Sequence, residues 1–200
     1  MISIIVNTCA RAAQRERYPV PVNGPYDQRE QWLREITLPR YLADPLVTDV
    51  ILVASCDDWP GLPPVVRLLV LPDPKPLSPI ACLDKRHLGA QAARNDIVVF
   101  HHDDMVLADD AAERIAERDS SLWDVLAMRL RRRGDPNEYI EDGWPAYIMG
   151  HGICMHRRAL DKVPWNTVPR RMDWDVQQSK LLSDMRMRIV RADNVVLEAI

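Results

Sequence analysis

Residues 101–104, His-His-Asp-Asp, close the stretch DIVVFHHDDM (96–105) and put two imidazoles and two carboxylates directly after an apolar run. If that run is a strand, its alternation sends His102 and Asp104 to one face and His101 and Asp103 to the other. Two side chains at i and i+2 on one face can meet a single cation. A carboxylate oxygen and an imidazole suit Mn²⁺ or Mg²⁺ that keeps its waters and shares phosphate oxygens, so the metal ligands expected are Asp104 and His102. The same residues also suit a polar loop in which Asp103 or Asp104 caps the following turn. Both readings stand at this level.

The elements that must position this group are legible around it. ISIIVN (2–7), TDVILVAS (48–55), VVRLLVL (65–71) and DIVVFH (96–101) are nearly continuous apolar runs, the pattern of strands covered on both faces. YDQREQWLREI reads as a helix, with Asp27 and Glu30 at capping spacing and Pro39 ending or kinking it. CLDKRHLGAQAARN reads as another, with Leu83, His87 or Leu88, and Ala92 on one face and Asn95 closing it in the left-handed conformation. Strand, helix and strand in alternation predict an open α/β sheet with right-handed crossovers. In such sheets ligands collect outside the carboxyl ends of the strands, where HHDD falls. Beyond 105 the pattern changes. ADDAAERIAER is an amphipathic helix with Asp110 and Glu113 at capping-box spacing, and LWDVLAMRL and AYIMGHGICMH read as strands. RRAL and WDVQQSKLLSDM read as helices, MRIVR and NVVLEA as the last strands. The polar segment 131–145 between two strands is a natural lid.

Composition narrows the function classes. Two hundred residues suit one domain, and 47% hydrophobic with 28% charged residues is the balance of a folded globular chain. A net charge of −3 supplies no general attraction to nucleic acid or anionic membrane, so neither is expected as a partner. No stretch is long enough for a transmembrane segment, and the N-terminus lacks a signal-peptide pattern, so the expected location is cytoplasmic. Cys9, Cys56, Cys82 and Cys154 lie far apart without zinc spacing and are expected as free thiols, although Cys9 and Cys56 both follow strand-like runs and can meet.

The stretch KRHLGAQAARNDIVVFHHDD resembles the donor-site signature of family 2 glycosyltransferases, which have the GT-A type nucleotide-sugar fold. In register, Arg86 and His87 fall where that family has arginine and asparagine, and Gly89 falls on its glycine. Ala93 falls on the alanine, Asn95 on a turn glycine, and His102-Asp103-Asp104 on the DxD. At the front, ISIIVNTCAR is similar to vSIIIPtyNR; at the back, GHGICMHRRALDKVPW and MDWDVQQSKLL are similar to the segments carrying the catalytic aspartate. Three pieces in order cover most of the chain. The departures are His102 for the first DxD carboxylate, His87 for asparagine and Met172 for the glutamate before the catalytic aspartate.

The resemblance implies a single-domain GT-A (Rossmann-like) α/β fold, with a mostly parallel central sheet flanked by helices and an antiparallel strand in the second half. It implies a nucleotide-binding half, 1–105, and an acceptor and catalytic-base half, 106–200. The implied activity is transfer of a sugar, with inversion, from a UDP- or GDP-linked donor to an acceptor hydroxyl on a glycan, lipid or protein. Asp173 is the implied base, with Asp175 as fallback; a base must reach the hydroxyl proton, and Asp at a helix start is also an ordinary cap. The implied metal at Asp104 and His102 accepts charge from the departing diphosphate, with Arg86 adding to it. Thr8 and Arg11 fall in the nucleobase and ribose region, and Asp57 or Asp58 can reach the base. His87, Asp103 and His151 line the donor, glycines 150 and 152 allow close approach to it, and Trp174 and Trp144 can stack on acceptor sugars.

Two other readings compete. A degenerate nucleotide-sugar-binding module without turnover is favoured by His102 and by the lack of an acceptor-domain extension after Ile200. A metal-dependent phosphohydrolase is raised by the His-Asp pair, but HD-type enzymes carry that pair on helices and need further histidines.

Overall fold

The computed structural model describes residues 1–8, 26–57, 59–72, 79–134, 139–141, 152–165 and 174–200. The apolar runs, read as strands covered on both faces, become the centre of a mixed sheet with nine strands among the described residues. β1 (Ile2–Asn7), with all six residues buried, pairs in parallel with β2 (Val47–Ala54) on one side and β4 (Ile97–His102) on the other. β3 (Val66–Val70) extends the parallel set beyond β2. β8 (Gly152–His156) runs antiparallel between β4 and β6 (Val125–Arg132). β9 (Ile189–Ala199) pairs in parallel with β6, and β5 (Met105–Leu107) runs antiparallel along the end of β9. β7 (Tyr139–Glu141) pairs with β6 off the main path. The α/β class, the mostly parallel sheet and the antiparallel element of the second half are as the sequence implied.

Helices cover both faces. On one, Leu33, Leu38 and Tyr41, together with Ala111, Ala112 and Ile115 of α4 (Ala111–Ala116), pack on Ile4, Val6, Leu52 and Val99. On the other, Leu83, Ala90 and Ala93 of and after α3 (Pro79–Ala92), with α5 (Arg157–Leu160) and α6 (Trp174–Asp184), pack on Ile5, Val53 and Phe100. The buried face of α3 therefore excludes His87, which is exposed. Gly89 is what lets α3 lie this close: a Cβ there would stand 2.5 Å from Ile5 Cγ2.

Several local details differ from the sequence pattern for physical reasons. The helix begun at α1 (Tyr26–Trp32) passes Pro39 and ends at Ala43, through a π segment, Leu33–Thr37, and α2 (Leu38–Ala43). Proline lacks an N–H and crowds the carbonyl four residues back; the wider turn, in which Leu38 N–H donates to Leu33 O, absorbs both. Asn95 does not adopt positive φ; Arg186 is the one non-glycine residue that does so among those described. Instead Arg157 donates to the carbonyls of Ala90, Ala93 and Asn95, closing the end of α3. Asp49 and Ser3 take the N–H groups of Arg94 and Asn95, and Arg67 joins Asp49 to Ala92 O. Asp110 caps α4 by position only, with no side-chain bond to the backbone, so the capping box is not formed. The last two expected strands are one, β9, whose register with β6 shifts between Met128 and Arg129. The expected lid is partly strand, since 131–132 belong to β6 and 139–141 form β7. Cys154 is a buried free thiol; Cys9, and with it the possible contact to Cys56, lies outside the described residues. No described helix is long and apolar enough to cross a membrane.

Replacing Gly89 by alanine gives a diagnostic sign. In an ordinary helix the change stabilises by up to about 1 kcal/mol. Here the new methyl collides with a fully buried Ile5, and the expected result is a loss of about 1–3 kcal/mol in urea denaturation. A more stable Gly89→Ala protein would show that α3 does not sit against β1 as described.

Candidate functional site

The order β3-β2-β1-β4 makes β1 the place where the winding of the sheet reverses. From β1 the chain moves outward through β2 and β3, then returns to β4 on the opposite side. The carboxyl ends of β1 and β4 thus meet at a topological switch point, the favoured ligand position of open α/β sheets. Asn7 and His102 are register partners at these ends, and Asp103 N–H donates to Asn7 O at 3.1 Å. β4 stops at His102, so strand alternation does not reach the two aspartates that follow. Both carboxylates instead converge on one guanidinium. Arg29 of α1 donates from Nη1 to Asp103 Oδ1 at 2.8 Å and from Nη2 to Asp104 Oδ2 at 2.7 Å. Thr8 Oγ1 donates to the remaining oxygen of Asp103 at 2.7 Å. Ile200 N–H, just past β9, donates to Asp104 O at 3.0 Å.

All of this is buried: Thr8 and Asp103 are 2% exposed, Arg29 7% and Asp104 8%. Burial raises the pKa of the Asp103 carboxyl above the usual range, against the opposing pull of Arg29. Asp104 Oδ1 has no hydrogen-bond partner among the described residues. A buried carboxylate oxygen without a donor is costly unless a water or cation completes it, and Oδ1 is the atom of the turn open to either. Among the described residues no three His, Cys, Asp or Glu side chains gather into a metal site, so such an ion would take most of its ligands from water and substrate.

His101 points away from this group. Its Nδ1–H donates to His102 O at 2.7 Å, which leaves Nε2 to accept from the Tyr41 hydroxyl at 2.6 Å. The Tyr41 oxygen in turn accepts Leu107 N–H. This chain fixes the His102 peptide from which the acidic turn springs, and burial lowers the His101 pKa from 6.5 to about 4.

On the α3 face, Lys85 donates from Nζ to Thr8 O and Ser55 Oγ, and Arg86 Nη1 donates to Gln178 Oε1 of α6 at 3.3 Å. Arg86 is fully buried, so it is no ordinary helix-surface charge. Both amide atoms of Asn7, 1% exposed, lack partners among the described residues. A cleft of about 590 Å³ lined by Arg40, Asp44, Leu46 and Asp109 sits at the amino end of β2, the opposite end from the acidic turn.

Of the residues proposed from sequence, the structure gathers Thr8, Asp103 and Asp104 by direct hydrogen bonds, with His102 half-buried beside them and Arg86 on α3. Asp57 is exposed past the end of β2, and His87 is exposed with its ring meeting Gln91. Asp175 is half-buried in the first turn of α6, its Oδ1 accepting Val176 N–H. Trp174 begins α6. Arg11, Asp58, Trp144, His151 and Asp173 lie outside the described residues. Gly152 is required by packing, since a Cβ there would stand 2.0 Å from Leu197 Cδ1. Three residues went unnoticed in the sequence. Arg29 is one of several charges on an amphipathic helix; Asn7 ends an apolar run, which was the available signal; Lys85 sits beside the noticed Arg86.

The sheet order, the switch point and the acidic turn define a GT-A-like, nucleotidyltransferase-type α/β fold, and solved structures share it. The mannosyltransferase PcManGT of Pyrobaculum calidifontis, solved with GDP-Man and Mn²⁺, aligns over 99% of this chain and 56% of its own at 18% identity, TM-score 0.62. S. aureus TarS 1–349 aligns over 98% of this chain and 59% of its own at 15% identity, TM-score 0.60. The inositol-1-phosphate CTP transferase of T. maritima aligns over 99% and 88% at 12% identity, TM-score 0.54. At these identities the likeness is one of fold, and the chain spans less than two thirds of the first two proteins. No protein-family model and no curated protein matches the sequence.

The buried His101 sets an acid limit on stability. The folded protein keeps the ring neutral to about pH 4, whereas the unfolded chain takes up the proton below 6.5. Stability is therefore present above pH 6.5 and falls between 6.5 and 4, by on the order of 3 kcal/mol. Asp103, with its raised pKa, acts in the opposite sense. Urea denaturation across this range should show a shallower acid loss in His101→Gln than in wild type; equal slopes would remove His101 as the cause.

Proposed function

We propose that this chain is a glycosyltransferase that moves a sugar from a nucleotide-diphosphate donor to an acceptor hydroxyl. The observation that carries the reading is the buried acidic turn, Asp103-Asp104, at the switch point between β1 and β4. A nucleotide donor lies there in folds of this type, and the unpartnered oxygen of Asp104 calls for a cation beside a diphosphate. The transferases that share the fold include one solved with GDP-Man and Mn²⁺ and one solved with UDP-GlcNAc, which favours a GDP- or UDP-linked donor.

In this reading residues 1–105 form the donor half and 106–200 the acceptor and catalytic-base half. Asp104 and His102 would hold a divalent ion, Mn²⁺ or Mg²⁺, which would supply Lewis-acid stabilisation of the leaving diphosphate. Thr8 holds Asp103 so that the turn keeps its orientation, and buried Arg86 adds positive potential on the α3 side. The reading assigns the nucleoside to Arg11 and to Asp57 or Asp58, and the donor's border to His87 and His151. Asp173, directly before α6, takes the proton of the attacking hydroxyl as that oxygen bonds to the anomeric carbon and the diphosphate departs from the opposite face. Inversion follows from this single displacement. Asp175 stands in for it as the alternative base. Trp174 stacks on the acceptor, a glycan, lipid or protein hydroxyl.

A binding module without turnover is the second reading, and the guanidinium already seated on both carboxylates is the observation in its favour. The phosphohydrolase reading loses ground because the His102-Asp103 pair closes a strand instead of lying on a helix, and Asp103 is already held by Arg29 and Thr8.

Calorimetry with UDP and GDP separates these readings. Binding should be tighter with Mn²⁺ than with EDTA, and Asp104→Ala should erase the difference; equal affinity in wild type under both conditions removes the metal role. Asp173→Asn should lower sugar transfer by about 10²–10⁴-fold while nucleotide still binds. Nucleotide binding with no transfer from any donor would establish the module instead.

A further inference from the structure

Arg29 gives the acidic turn a cation of its own. Its two nitrogens reach one oxygen of each carboxylate, at 2.8 and 2.7 Å, in a place where the arginine is 7% exposed. One guanidinium serves both carboxyl groups, and Asp104 keeps one buried oxygen that no described residue answers. The two sides of this contact are held differently. The carboxylates stand on the turn after β4, whose backbone is fixed by Asp103 N–H on Asn7 O and by Ile200 N–H on Asp104 O. The guanidinium belongs to α1, at the near side of a π segment where the helix changes register.

We propose that Arg29 and a divalent cation compete for the Asp104 carboxylate, with Arg29 as the internal counter-ion that holds the acidic turn while no metal is bound. This rests on the reading that the turn takes a metal together with a nucleotide diphosphate. Arg29 Nη2 sits on Asp104 Oδ2 and a metal would enter at Oδ1 of the same buried carboxyl, so the two cations repel each other and the incoming metal weakens the Nη2 contact. A diphosphate then offers the loosened guanidinium a new bidentate anion, and metal and nucleotide bind better together than apart. Arg29 acts through Asp104 and is a positioning residue.

The test is titration of Mn²⁺ alone, followed by calorimetry, into wild type, Arg29→Gln and Arg29→Lys. Arg29→Gln should bind Mn²⁺ about tenfold or more tightly than wild type. In EDTA it should melt at a lower temperature than wild type, and Mn²⁺ should recover the loss. Arg29→Lys keeps a charge without the two-pronged geometry, so its Mn²⁺ affinity should fall between the two. If Arg29→Gln does not fold in EDTA, the lysine variant alone carries the comparison. Equal Mn²⁺ affinity in all three proteins, or weaker binding in the variants, overturns the competition. GDP and UDP binding by wild type is measured in parallel. Nucleotide binding alongside equal Mn²⁺ affinities ends the Arg29 proposal and leaves the donor site standing, whereas absence of nucleotide binding ends the donor site itself.

Discussion

The meeting of one guanidinium and two carboxylates at the end of β4 is the constraint around which the molecule is arranged. Asp103 and Asp104 are 2% and 8% exposed, a burial that ionised groups tolerate when they are paired and hydrogen-bonded. Every neighbouring element contributes to that condition. β1 brings Thr8 and the Asn7 carbonyl, α1 brings Arg29, and the end of β9 brings the Ile200 N–H. Removing the guanidinium from this group would leave buried charge uncompensated, the most expensive defect a core can carry.

The rest of the fold keeps those elements in register. At the far end of the sheet, Ser3, Asp49 and Arg67 tie β1, β2, β3 and the exit of α3 together, while Arg157 closes the last turn of α3. At the near end, the chain from Leu107 through Tyr41 and His101 to His102 O joins α2 to the last peptide of β4. Gly89 brings α3 against β1 and so carries Lys85 and Arg86 to the carboxyl ends of the strands. Apolar packing on both faces supplies the bulk of the stabilisation, and these polar ties decide where the strand ends fall.

Much of this was legible from residue pattern. Strands covered on both faces are nearly pure apolar runs, which is why β1, β2, β3 and β4 could be read within a residue or two at each end. The pattern failed where tertiary contacts overrode it. β5 is three residues long and has no period of its own; its strand character comes from β9. β9 was divided in two because its polar middle, Asp193 and Asn194, lies at a bulge rather than a turn. Pro39 did not end its helix because a π turn took up the missing bond. The candidate site divides in the same way. The acidic turn announced itself by residue type and position, whereas Arg29 lies 74 residues from Asp103 in an ordinary amphipathic segment. The opposed directions expected of Asp103 and Asp104 assumed a strand that runs through Asp104, whereas β4 ends two residues earlier at His102.

The central claim is that nucleotide diphosphate binds where β1 and β4 end. Backbone amide shifts of the labelled protein, followed by NMR as GDP or UDP is added with Mg²⁺, test it most directly. The account predicts that the largest changes cluster at Asn7, Thr8 and His102 to Asp104, with Arg29 and Arg86 next. Changes confined to the cleft around Arg40 and Asp44, or none at saturating nucleotide, would contradict it.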